Sequence, residues 1–263
     1  MLKFIITLVL LLCPFLCLAE SGLSDGTLYD GSLSGYSTLY AFPIGSSVLR
    51  DGLGELCEIN PNNYHIIHTT RSYTLGWRTL AAYVDGRGSG VCVQDEFYGC
   101  LEAEPQIDLI IVWQLTINNC LFWGSGEWES YNALLAGWRN FYGNLHNDFG
   151  APIVHIFLYP LKIAAYGSTD PAIPDCEEGE GGATLNSCMA QLKNDLQTNN
   201  ADLSYVHYID AWQNIRDTYN DADLLTWQNA RFYDNMHMYP DKYKDLWDTW
   251  LEDEFKKITD NLK

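Results

Sequence analysis

The sequence predicts an α/β fold built on a mainly parallel sheet, and three features predict it. Short apolar runs alternate with longer stretches of helical periodicity, which is the pattern of βαβ units. One run, residues 108–115 (DLIIVWQL), reads as a buried strand and follows the turn signal Glu104-Pro105. The chain then closes with a strongly amphipathic helix.

The elements follow in order. Met1, Leu2 and Lys3 form a short positive segment, residues 4–12 are apolar but for Thr7, and Cys17-Leu18-Ala19 places small residues ahead of Glu20. An apolar core this short, followed at once by polar chain, reads as a secretory signal over 1–19, with one domain expected over 20–263. Strands are expected at 64–68 (YHIIH), 108–115, 152–158 (PIVHIFL) and 203–209 (LSYVHYI). A helix is expected over 128–145, where Tyr131, Leu134, Leu135, Trp138, Phe141, Tyr142 and Leu145 share a face. A second is expected over 183–196, and residues 167–182, rich in Gly, Pro and acid, form a loop. From Pro240 onward, Tyr243, Leu246, Trp247, Trp250, Leu251, Phe255, Ile258 and Leu262 line one side of a helix whose first turn tolerates the proline.

Composition narrows the function. A formal charge of −19 argues against nucleic acid and anionic membrane surfaces, since phosphate binding needs clustered Lys and Arg. No segment after the signal is long and apolar enough to span a bilayer. Nine Trp, 17 Tyr and 10 Phe supply both a core and the lining of a pocket. With Cys13 and Cys17 lost to the signal, Cys57, Cys92, Cys100, Cys120, Cys176 and Cys188 remain, an even set that reads as disulfides in a secreted chain. Six cysteines allow 15 pairings; Cys92 with Cys100 and Cys176 with Cys188 would close the shortest loops, and Cys57 with Cys120 would then be the third pair. No paired Cys or His spacing suggests a metal site, and His65, His68, His146, His155 and His207 sit where structural roles are expected.

One constellation carries chemistry. After the last strand comes Tyr233-Asp234-Asn235-Met236-His237, then Pro240 and the C-terminal helix. An Asp three residues before a His, on a loop feeding a helix, can fold back so that its carboxylate meets the imidazole. It then holds one tautomer and stabilises the imidazolium formed in catalysis.

This block resembles the last motif of the SGNH/GDSL hydrolases, in which the His is the general base and the Asp its partner. The resemblance extends upstream. Residues 108–120 resemble the family's third block, a buried strand running into Gly-x-Asn-Asp, and Asn118 matches its oxyanion-hole Asn. Thr116 stands where the block has Gly, and Asn119 where it has Asp. The family's nucleophile motif, Gly-Asp-Ser-Leu, directly follows the first strand. Asp30-Gly31-Ser32-Leu33 is similar with its first two residues exchanged, which makes Ser32 the expected nucleophile and Ser34 its runner-up. Gly76, in Gly76-Trp77, stands for the backbone donor of the second block.

The resemblance implies a three-layer α/β/α fold and a serine esterase without metal or organic cofactor. Ser32 would attack an ester carbonyl after His237 takes its proton, with Asn118 and backbone N–H groups holding the oxyanion. The expected substrates are small acyl or O-acetyl esters, glycan esters among them. The rival reading is a catalytically degenerate secreted carbohydrate-binding protein of the same fold. Oligomeric state is left open.

Overall fold

The computed structural model describes residues 39–45, 64–66, 80–84, 87–90, 97–104, 106–113, 120, 130–157, 159–167, 169 and 185–261. Its centre is a sheet of five strands: β1 (Leu39–Gly45), β2 (Tyr64–Ile66), β3 (Leu109–Trp113), β4 (Ile153–Ile156) and β5 (Val206–Ile209). Every neighbouring pair is parallel, in the order β2-β1-β3-β4-β5, so each connection crosses over the sheet. The four expected strands are all present. β1 is the addition. It carries Pro43, a residue that argues against an interior strand. The described residues of β2 end opposite Ala41, so at Pro43 the only described partner strand is β3, with Ile111 opposite.

The helices are α1 (Phe97–Glu102), α2 (Tyr131–Phe149), the single turn α3 (Ile163–Tyr166), α4 (Leu185–Asn199), α5 (Ala211–Thr218), α6 (Asp221–Arg231), α7 (Pro240–Leu246) and α8 (Glu252–Asp260). α2 begins where the Ser130 hydroxyl accepts from the Ala133 amide and ends at Gly150, whose φ of 67° is left-handed. The expected helix over 128–145 is thus shifted a few residues along the chain. A wide π-type turn, Trp247–Leu251, joins α7 to α8.

Helices cover both faces of the sheet. Every residue of β3 and β4 is buried, as strands covered on both sides require. Trp113 pairs with Ile156 and Val112 with His155, so Trp113 and His155 point to opposite faces. Trp113 packs edge-on against Tyr243 of α7 at 6.3 Å and against Trp247 at 5.5 Å. His155 lies stacked on Trp138 of α2 at 5.2 Å, with the Tyr142 hydroxyl 2.6 Å from Nδ1. This is the expected three-layer α/β/α sandwich.

His155 is fully buried, and burial pulls its pKa down to about 3, so the ring stays neutral. His146 stacks on Tyr205 at 3.9 Å. The expected pairing of Cys57 with Cys120 is overturned: Cys120 is a free thiol, buried in the core, where it packs as a small apolar side chain. Among the described residues no helix is long and apolar enough to cross a membrane.

Candidate active site

The loop that leaves α6 is closed on itself. Phe232 and Met238 form an antiparallel bridge at its base. The Tyr233 amide donates to the His237 carbonyl at 3.1 Å, and the Tyr239 amide donates to Arg231 at 2.8 Å. Pro240 then opens α7 in the first-turn position where no amide is needed. Phe232 and Met238 are buried, so the residues between them are carried outward.

Inside this loop Asp234 folds back. Its Oδ1 accepts from the amides of Met236 and His237, both at 2.6 Å, and its Oδ2 lies 2.8 Å from His237 Nδ1. Burial pushes the Asp234 carboxyl up, but the His237 amide, the His237 ring and the Met236 amide outweigh it and hold the pKa below the usual carboxylate range. An ionised carboxylate only accepts. Nδ1 therefore carries a proton in the pair, and Nε2 is the atom at which the neutral ring can take one.

Contacts with the chain beyond β4 and β3 fix where this pair stands. The Lys162 amide donates to the Asn235 carbonyl at 3.3 Å and the Tyr159 hydroxyl to the Met236 carbonyl at 3.4 Å. Residues 160–163 are pinned by two buried amides. Gln228 Nε2 donates to the carbonyls of Pro160 and Leu161, and Gln228 Oε1 accepts from the Ile163 amide. Asn186 bonds both the amide and the carbonyl of Leu161. Trp113, which packs on α7, is the last residue of β3 and sits opposite Gly45, the last residue of β1. The Asp234–His237 pair thus belongs to the carboxyl edge of the sheet, the edge at which open α/β sheets bind ligands.

The surroundings are aromatic. The Tyr233 ring lies nearly parallel to His237, 5.8 Å away at 12°, with Tyr239 5.7 Å from Tyr233. Burial, and then the charge of Asp234, raise the Tyr166 phenol above its ordinary pKa. Among the described residues no group of three or more His, Cys, Asp or Glu side chains could hold a metal ion.

Of the residues expected from the sequence, the structure brings Asp234 and His237 together. Ser32, Ser34, Gly76 and Asn118 lie outside the described residues. β3 ends at Trp113, five positions before Asn118. β1 begins at Leu39, so Ser32 precedes the first described strand, whereas the resemblance requires a serine directly after it. The residues that do follow β1 are Ser46 and Ser47, also outside the described set. Gly45-Ser46-Ser47-Val48 keeps the Gly and the Ser of the family motif in place, with Ser46 where the motif has Asp. That signal is visible in the sequence once Leu39–Gly45 is known to be a strand.

No protein-family model matches the sequence, and no curated protein matches it. Solved structures do resemble it. One, provisionally assigned as a platelet activating factor from Streptococcus pneumonia, aligns over 100% of this chain and 98% of its own, with a TM-score of 0.52 and 12% identity. The acetyl xylan esterase AlAXEase aligns over 84% of this chain and 99% of its own, with a TM-score of 0.47 and 11% identity. A protein provisionally assigned as an arylesterase from Agrobacterium tumefaciens str. C58 aligns over 86% and 100%, with a TM-score of 0.49 and 14% identity. At this identity the first likeness is one of fold, and the fold is the α/β/α sandwich that the resemblance to SGNH hydrolases implies.

Proposed function

We propose that the protein is a secreted serine ester hydrolase of the SGNH/GDSL type, acting on small acyl or O-acetyl esters. The observation that carries this reading is the Asp234–His237 pair, oriented by two backbone amides and set at the carboxyl edge of a parallel sheet. A His held in one tautomer by an ionised Asp is built to take a proton from an alcohol and return it to a leaving group. Asn118, in the segment after β3, and Gly76 are the proposed oxyanion donors. Disulfides are proposed at Cys100 and Cys188, neither of which is a free thiol. Residues 20–263 are proposed as one domain.

Two serines compete for the nucleophile. Ser32 matches the family motif with two residues exchanged, but it lies seven positions ahead of β1, and the strand then spans about 20 Å away from its start. Ser47 lies two residues past Gly45, the last residue of β1, which is where the family motif carries its serine. The topology favours Ser47.

The experiment is labelling with a fluorophosphonate followed by peptide mass spectrometry, beside p-nitrophenyl acetate hydrolysis by Ser32→Ala, Ser47→Ala and His237→Ala. We expect the label on Ser47, with hydrolysis lost in Ser47→Ala and His237→Ala and kept in Ser32→Ala. A label on Ser32 would restore the first assignment. Folded wild type that neither labels nor hydrolyses would leave the carbohydrate-binding reading in its place.

A further inference from the structure

The described residues expose three large hydrophobic side chains, Tyr40, Tyr233 and Tyr239, and two of these bracket His237. Tyr233 is 48% exposed and Tyr239 46%. The same loop buries Phe232 and Met238, so it sorts its large side chains, sending two inward and two outward. The outward pair lie 5.7 Å apart at 59°, and Tyr233 in turn lies parallel to the His237 imidazole. The three rings make one aromatic surface that starts at the general base. Core packing does not account for an exposed cluster of this kind beside a site, whereas contact with a ligand does.

We infer that Tyr233 and Tyr239 form the platform on which the alcohol part of the ester rests, and that this part is a neutral sugar ring, which makes the substrate an O-acetylated glycan. The inference rests on the esterase reading above and names its substrate class. A pyranose has apolar C–H faces and a rim of hydroxyls. Tyrosine matches both, since its ring offers an apolar face and its phenol a donor and acceptor. A fatty chain asks for exposed aliphatic side chains, but the exposed residues of this loop are Tyr233, Asp234, Asn235 and Tyr239. The formal charge of −19 disfavours anionic sugars.

The test compares three esters of different alcohols, xylose tetraacetate, triacetin and phenyl acetate, on wild type, Tyr233→Ala, Tyr239→Ala and Tyr239→Phe. In both alanine variants we expect kcat/KM for xylose tetraacetate, relative to triacetin, to fall about tenfold, mainly through KM. Tyr239→Phe, which keeps the ring, should restore most of that ratio. A turnover-free arm uses saturation-transfer NMR with methyl β-xylobioside, which carries no ester; transfer to the ring protons is expected in wild type and lost in Tyr239→Ala. An unchanged ester ratio, or a selective loss on phenyl acetate alone, overturns the sugar platform while leaving the esterase intact. Transfer to the xylobioside that depends on Tyr239, in a protein that hydrolyses no ester, removes the esterase and keeps the platform.

Discussion

Asp234 does two things with one carboxylate. Oδ1 closes the turn by accepting two backbone amides, and Oδ2 orients the imidazole. Asparagine can keep the first function through its carbonyl oxygen but presents an NH₂ group to Nδ1, which favours the wrong tautomer. Asp234→Asn is therefore expected to lower kcat on p-nitrophenyl acetate by a factor on the order of 10²–10⁴ while leaving the circular dichroism spectrum unchanged. The same carboxylate contributes to stability with a definite sign. Its folded pKa lies below the ordinary 3.8, so its contribution is present above that pH and is lost as pH falls through the lower folded value. Urea titrations should show the stability gap between wild type and Asp234→Asn closing only below about pH 4.

At the scale of elements, the loop that carries Asp234 and His237 depends on α6 twice: the helix leads into it, and Gln228 on that helix pins the chain the loop leans on. Gln228→Ala would strand the Pro160 carbonyl and the Ile163 amide, whereas the Leu161 carbonyl would keep its bond from Asn186. We expect a loss of about 2–4 kcal/mol in urea unfolding, with a lower kcat. Ser130→Ala, by removing the cap of α2, should cost about 1 kcal/mol in urea unfolding.

The elements also show what the sequence makes legible. β3 and β4 are apolar throughout because both faces are covered, so their runs stand out. β1 does not, because Pro43 interrupts the pattern at a place where only β3 is a described partner. The proposed nucleophile rests on that strand, since the family motif ties its serine to the end of the first strand. α5 and α6 were not expected either, although Asp210 and Asn220 cap them. Their apolar faces are narrow, and the caps were the better signal. The Asp234–His237 pair was readable because it is local, three residues apart. A contact spanning most of the chain has no such signature.

For the whole molecule, covering the sheet on both sides leaves a titratable ring in its middle. His155 is neutral in the folded protein, with a pKa near 3 against an ordinary 6.5, because burial disfavours the cation. The unfolded chain binds the proton more readily, so stability is complete above about pH 6.5 and declines as pH falls toward about 3. His155→Phe, which keeps a ring against Trp138 and Phe157, should lose less stability between pH 7 and pH 4 than wild type, measured by urea unfolding.

Cys120 gives the molecule an internal clock. Only a thiolate reacts with alkylating agents or exchanges with disulfides, and burial pushes this thiol far above its ordinary range. Closure of the core thereby withdraws this thiol from exchange. In the finished protein, the rate at which iodoacetamide marks Cys120 then reports how often the core opens.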